Sequence, residues 1–138
     1  MTPWIVDASL AMTWYLLDED NRQYGLEVLS SLPEREIRVP ALFIFEILNA
    51  LVMAHRRKRI GLDLLNEILG RFAALNIVVE PTIAEAIPRI ATLAHRHGLT
   101  SYDAAYLDLG IRTGFPIATL DQALLRAMQD AKVNPVVP

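Results

Sequence analysis

Pro40-Ala41-Leu42-Phe43-Ile44-Phe45-Glu46-Ile47-Leu48-Asn49-Ala50-Leu51-Val52-Met53 is a run of almost wholly apolar residues with one carboxylate in its middle. It reads as a helix, and a helix that lacks a polar face is normally a core helix. An ionised carboxylate buried there without a partner costs several kcal/mol or takes up a proton. Glu46 therefore calls for a cation, a hydrogen-bonding group or water. At 100° per residue, Leu42, Phe45, Glu46, Asn49 and Met53 share one face, so Glu46 and Asn49 form a polar notch in an oily stripe. The helix runs out into His55-Arg56-Arg57-Lys58-Arg59, cations that suit a helix C-terminus, with Gly61 as its expected stop. Just upstream, Ile37-Arg38-Val39 is a short strand, so this region is strand then helix.

The same alternation extends in both directions. Trp4-Ile5-Val6 is an apolar run ending on Asp7-Ala8-Ser9, after which Leu10, Ala11, Trp14, Tyr15 and Leu17 recur at helical spacing. The acidic connection Asp18-Glu19-Asp20-Asn21 places Asn21 to cap a helix through about Leu32, where Pro33 stops it. Downstream, Leu62, Leu65, Ile68, Leu69, Phe72 and Leu75 trace one helical face, and Ile77-Val78-Val79 is a third strand. Thr82 to His97 is helical by period, with Pro88 marking either a kink or the true start, and Gly98 closes it. Thr100 opens another helix that ends between Gly110 and Gly114. Phe115 to Leu120 is strand-like up to Asp121, Gln122 to Met128 is a short helix, and Val133 to Val137 is a candidate edge strand, where its prolines are tolerated. Short, nearly all-apolar strands alternating with helices predict a three-layer α/β/α sandwich with a short, mainly parallel sheet.

Length and composition set the bounds. The 138 residues suit a single domain, 1–138, with a proper core. Hydrophobic residues make up 53% and charged ones 21%, more apolar than an average soluble domain, so part of the surplus is expected to cover a partner, most simply a second copy. No apolar run reaches the roughly 20 residues of a membrane span, and Met1 leads directly into a strand without a basic leader, which predicts a cytoplasmic protein. The absence of cysteine excludes disulfides, thiolate nucleophiles and cysteine metal sites. A net charge of −3 argues against loose nucleic-acid binding through overall charge, though not against a catalyst that grips nucleic acid through metal ions.

The acids carry the chemistry. Asp7 and Asp121 each stand at the carboxyl end of an apolar strand and just before a helix, the edge where open α/β sheets bind ligands. Each can equally be a helix N-cap. Asp103 can complete a capping box with Thr100, and Glu46 can be half of a partly buried ion pair with an arginine such as Arg126. Read jointly, several carboxylates around one crevice repel each other by up to about 4 kcal/mol per close pair at an effective dielectric near 20, a conflict that a divalent cation removes. Oxygen-only ligation suits Mg²⁺ or Mn²⁺ rather than Zn²⁺, and such ions, with water in their open positions, hydrolyse phosphodiesters.

At these residues the sequence resembles the PIN-domain ribonucleases, and among them the VapC-type toxins of toxin–antitoxin pairs. Ile-Val-Asp-Ala-Ser around Asp7, the Pro40–Leu51 segment, His-Gly-Leu-Thr-Ser-Tyr-Asp-Ala-Ala-Tyr-Leu around Asp103, and Ala-Thr-Leu-Asp-Gln-Ala-Leu around Asp121 follow the family's order over nearly the whole chain. The resemblance implies acidic metal ligands at Asp7, Glu46, Asp103 and Asp121, with supporting polar positions at Ser9, Asn49 and Thr119. It leaves Asp108 outside the site. It further implies Mg²⁺- or Mn²⁺-dependent cleavage of RNA, a homodimer, and neutralisation by a small VapB-type antitoxin.

Other features weigh less. His55, His95 and His97 read as solvated helix-end residues, since they lack a zinc-type companion set. Arg56, Arg57, Lys58 and Arg59 read as a solvated helix terminus or as RNA-phosphate contacts. Trp14 and Tyr15 read as core or interface. A receiver-type signalling module would need an acidic pair after the first strand and a late lysine. A haloacid-dehalogenase-like phosphatase would need a second Asp where Ser9 stands. A non-catalytic binding protein of the same fold leaves the four acids and Asn49 without a use.

Overall fold

The protein is described by a computed structural model covering residues 1–16 and 22–138. Leu17 and the acidic connection with its expected cap, Asn21, lie outside the described residues.

Among the described residues four short strands form one parallel sheet: β1 (Trp4–Val6), β2 (Ile37–Pro40), β3 (Ile77–Glu80) and β4 (Ile117–Ala118), in the spatial order β3-β2-β1-β4. Trp4 pairs with Ile37, Ile37 with Ile77, and Ile5 with Ile117. The chain thus lays strands outward from β1 to β3 and then returns to place β4 on the other side of β1. That reversal is a topological switch point, where the carboxyl ends of adjacent strands part and leave a crevice. Asp7 follows β1 and Thr119 follows β4, so both stand at this point, joined by a hydrogen bond from the Asp7 backbone N–H to the Ala118 carbonyl, 2.9 Å.

Helices α1 (Ala8–Ala11), α2 (Arg22–Ser30), α3 (Leu42–Arg56), α4 (Leu62–Ala73), α5 (Ala86–His97), α6 (Ser101–Thr113) and α7 (Gln122–Ala131) complete the sandwich. Ile5, Val6, Val39, Phe43, Ile47, Tyr106, Leu107, Ile117 and Leu124 are wholly buried and bring strands, α3, α6 and α7 into one core. Helix α4 meets α3 through Phe43 and Phe72, whose rings lie 5.9 Å apart.

Several elements differ from the sequence reading, each for a local reason. The first helix is a single turn followed by a 3₁₀ turn over Met12–Trp14, tightened by the Thr13 hydroxyl donating back to the Leu10 carbonyl at 2.6 Å. Pro88 lies in the first turn of α5, where its missing N–H costs nothing, so it marks a start rather than a kink. Strand β4 has only two residues. Pro116 has no N–H to donate, and the N–H groups of Leu120 and Asp121 are taken by the hydroxyls of Ser9 and Thr119. The expected edge strand at 133–137 reduces to one bridge between Ile117 and Pro135.

Helix α3 ends before Gly61, which instead is the N-cap of α4. It closes in a Schellman-type turn, with the Arg59 N–H reaching the Ala54 carbonyl at 2.9 Å and Lys58 left-handed at φ 59°. The helix is not enclosed on every side either. Phe43, Ile47, Leu51 and Ala54 form its buried stripe, whereas Phe45 is 70% exposed.

Candidate active site

Asp7 lies at the floor of a cleft of about 510 Å³ whose lining includes Ser9, Glu46, Asn49, Asp103 and Asp121. Four separate elements deliver the acids: the end of β1, the middle of α3, the first turn of α6 and the N-cap of α7. The crevice at the switch point is thus where they meet, although they are distant in sequence.

Each acid is held differently. Asp7 is 3% exposed, and although it occupies the N-cap position of α1 its side chain makes no capping bond. Its Oδ2 instead accepts from the Ser9 hydroxyl at 2.7 Å and the Thr119 hydroxyl at 2.6 Å. The two hydroxyls lie 3.4 Å from one another, so Ser9 and Thr119 form one clamp on Asp7. Asp121 does cap its helix, Oδ1 accepting from the Leu124 N–H at 2.8 Å. At α6 the cap is the Thr100 hydroxyl, which accepts from the Asp103 N–H at 3.1 Å. Capping by the side chain and membership of the cleft therefore coincide at Asp121; at Asp103 it is the backbone N–H that is capped, by Thr100, and the Asp7 side chain makes no capping bond.

Glu46 is met by neither Arg126 nor any other cation among the described ion pairs. The Tyr106 hydroxyl donates to its Oε1 at 2.9 Å. Tyr106 is wholly buried and sits on α6 one turn after Asp103. This phenol thus joins α6, which carries Asp103, to Glu46 on α3. Sequence reasoning asked for such a partner and missed this one. The i, i+3 spacing from Asp103 to Tyr106 was the available signal, since both then face the same neighbour.

The acids share a surplus of negative charge. Burial, and then the charges of Asp7 and Asp103, push Glu46 up to about 7. Burial, and then Asp121 and Asp7, push Asp103 up to about 6. Burial raises Asp7 too, and Asp121 adds to it against the lowering by its hydroxyl clamp. Burial and the nearby Asp7 and Glu46 raise the Tyr106 phenol, which stays a donor at any ordinary pH.

The donor set is oxygen only and anionic, which fits a hard divalent cation in kind. It is not a closed cage: among the described residues no three His, Asp or Glu side chains are arranged to hold a metal ion as they stand. Mutual repulsion is the physical reason for carboxylates to keep apart without a counter-charge. A cation such as Mg²⁺, which takes one or two protein carboxylates and fills the rest of its shell with water and phosphate, does not require such a cage.

Of the basic run, Arg57 lines the cleft. Arg56, Lys58 and Arg59 do not line it. Asp108 lies outside, 3% exposed at its side chain and clasped by Arg89 at 3.0 Å and Arg112 at 2.9 Å. It serves the packing of α5 against α6.

The PIN domain family profile matches residues 4–129. The chain is 32% identical over 124 residues to Ribonuclease VapC3 of Pyrobaculum aerophilum, covering 87% of this chain and 90% of that protein. The crystal structure of VapC20 from Mycobacterium tuberculosis, described as a sarcin-ricin loop cleaving toxin, superposes with a TM-score of 0.71 at 15% identity, over 98% of this chain and 99% of that one. PAE2754 from Pyrobaculum aerophilum superposes at 0.61 and 21% identity, over 91% and 84%. At those identities the two structures speak for the fold alone. With the profile spanning nearly the whole chain and a VapC relative matched almost end to end, this chain belongs to the PIN-domain family, on its VapC branch.

Proposed function

We propose that this chain is a metal-dependent endoribonuclease acting as the toxin of a type II toxin–antitoxin pair. The observation that carries the reading is the convergence of Asp7, Glu46, Asp103 and Asp121 on one cleft, with protonation equilibria displaced upward at three of them. Perturbed acids gathered in a cleft are a recurrent sign of catalysis. When bound there, Mg²⁺ or Mn²⁺ would neutralise charge on the scissile phosphate and lower the pKa of a coordinated water.

The chain's own residues have distinct tasks in this reading. Asp7 is the innermost ligand, aimed by the hydroxyls of Ser9 and Thr119. Glu46 is the ligand from α3, with one oxygen committed to Tyr106. Asp103 and Asp121 close the remaining sides from the starts of α6 and α7, and Asn49 offers a neutral polar group at the rim. The substrate is RNA, as the name of the 32%-identical ribonuclease suggests. The VapC relationship supports a VapB-type antitoxin as partner. Exposed Phe45, Ile83 and Ile87 support a homodimer that covers apolar surface. Among the described residues no helix is long and apolar enough to cross a membrane, and a cytoplasmic site of action follows from the substrate.

The test is cleavage of a total RNA pool by the purified chain with Mg²⁺ or Mn²⁺, with and without EDTA, beside Asp7→Asn and Asp103→Asn. Cleavage by the wild type alone, and only with metal, is the expected result. Cleavage that persists in EDTA and in both variants would overturn the reading. A folded wild type that binds RNA without cutting it would replace the enzyme with a binding protein.

A further inference from the structure

Helix α3 contributes more than Glu46 to the cleft. Asn49, Ala50, Met53 and Arg57 follow at helical spacing along the same wall, and all line the same cavity. The cleft is therefore polarised along one helix, with its acids at one end and a guanidinium at the other. From Glu46 to Arg57 is three turns of helix, about 16 Å. Between them Asn49 is polar and the rest of the lining is small or apolar, Ala50 and Met53 on α3 with Met12 from the turn after α1.

The position of Arg57 is built rather than incidental. It is the C-cap of α3, and its backbone N–H is bonded to the Met53 carbonyl at 2.9 Å. The next residue, Lys58, takes the left-handed conformation and turns the chain after Arg57, while Arg56, one step back on α3, sets its Nη1 3.8 Å from the Met53 sulfur without lining the cleft itself. Among the described residues no ion pair occupies the Arg57 side chain, whereas Arg38, Arg71, Arg89 and Arg112 are all engaged with carboxylates. An exposed guanidinium facing a cleft of acids is suited to hold an anion that enters alongside them, and its planar fork suits phosphate.

We infer that Arg57 grips a backbone phosphate of a single RNA strand that lies along α3, a few nucleotides from the phosphate held at the acids. This rests on the ribonuclease reading and adds the path of the substrate to it. A single strand is the form that fits, because the reacting phosphate must come down to a nearly buried Asp7 while the strand follows a narrow wall. Met12 and Met53, flexible and polarisable, adapt to any base or sugar lying between the two ends. Among the described residues no aromatic side chain lines this stretch, so Arg57 positions the strand without reading its sequence.

The experiment measures binding and turnover separately. Binding of fluorescent single-stranded RNA oligonucleotides of unlike sequence is titrated over a range of salt with Asp7→Asn, with Asp7→Asn/Arg57→Ala, and with Asp7→Asn carrying Arg56→Ala or Lys58→Gln. Steady-state cleavage is measured with Arg57→Ala and Arg57→Lys in the otherwise native chain. The expected result is about a tenfold rise in Kd on losing Arg57, alike for all sequences, and a salt slope shallower by about 0.7. Arg56→Ala and Lys58→Gln should change neither. In cleavage, KM should rise about tenfold with kcat within about twofold, and Arg57→Lys should recover part of the loss. Equal affinity and salt slope with and without Arg57 would overturn the inference while leaving the nuclease reading intact. An equal loss from Arg56→Ala or Lys58→Gln would also overturn it, replacing the track with diffuse charge. A loss confined to one sequence would overturn the positioning role. Failure of both Asp7→Asn and the native chain in EDTA to bind any RNA would overturn the inference, while the nuclease reading stands or falls on the cleavage assay.

Discussion

The Tyr106 hydroxyl donates a 2.9 Å hydrogen bond to Glu46 across a sequence separation of 60 residues, and this bond supplies the partner that the α3 carboxylate requires. A neutral donor in that place has consequences different from those of a cation. It orients Glu46 without cancelling its charge, so the residue stays available as an anionic ligand. It also keeps the acid titratable, because the bond lowers the carboxyl while burial and the nearby Asp7 and Asp103 raise it.

Tyr106→Phe should therefore raise the Glu46 carboxyl above about 7 while leaving the fold in place. The substitution removes one oxygen from a buried site, and the ring still fills the core. Stability should fall by about 1 kcal/mol. Carbon-13 NMR titration of the glutamate carboxyls, with Glu46→Gln to assign the resonance, gives the answer. An unchanged Glu46 titration would mean that the bond is not populated in solution.

Without metal, stability should fall as pH rises from about 4 to about 7. Glu46 is raised from 4.5 to about 7 and Asp103 from 3.8 to about 6, so in those windows the folded protein keeps protons that the unfolded chain has lost. Stability contributed by the protonated acids is complete below the unfolded values and disappears as pH passes the folded ones. Each group should contribute on the order of 1 kcal/mol once solvent around a half-buried site is allowed for. Urea midpoints at several pH values in EDTA provide the measurement, and Glu46→Gln should flatten the curve. A wild type whose stability climbs steadily over that range would show the acids to be ion-paired instead.

Glu46→Gln also separates ligand from structural anion at neutral pH. Because Tyr106 and not a cation meets Glu46, the substitution leaves no buried positive charge behind. The apo protein should hold its melting temperature or gain a few degrees, and the added stabilisation by saturating Mn²⁺, which acts by binding the folded state, should shrink. Melting of both proteins in EDTA and in Mn²⁺ compares the two. A mutant that melts several degrees lower in EDTA and keeps its full metal-induced shift would remove Glu46 from the metal site.

Asp108 offers a test of packing away from the cleft. Arg89 and Arg112 both hold its buried carboxylate, so either arginine alone can keep it paired. Arg89→Met and Arg112→Met should each lower the urea midpoint only slightly, and the double variant far more than their sum, because only then is a buried charge left without a partner. A double-mutant cycle by urea unfolding should thus be strongly non-additive. Simple additivity would show that the two arginines do not share one task.

Much of this protein is written in local sequence. Short, nearly all-apolar runs marked the strands and a period of 3.6 marked most helices, since a parallel strand is covered on both faces and a helix on one. The strand-end positions of Asp7 and Asp121 marked the edge where a cleft opens, and the all-apolar surroundings of Glu46 marked it as a residue in need of a partner. Local sequence did not decide what that partner is. Tyr106 reaches Glu46 only because α6 and α3 both pack on the sheet, and a contact between elements so far apart in the chain leaves no periodic trace. Nor did it separate Arg57, which lines the cleft, from Arg56 and Lys58, which do not, since the three are alike in charge and adjacent in sequence. The length of β4 was settled by hydroxyls of Ser9 and Thr119 competing for backbone N–H groups. The local sequence thus specifies which residues are apolar, which can cap and which carry charge, whereas tertiary structure decides which of them meet, because that depends on how the strands are ordered across the chain reversal beside β1.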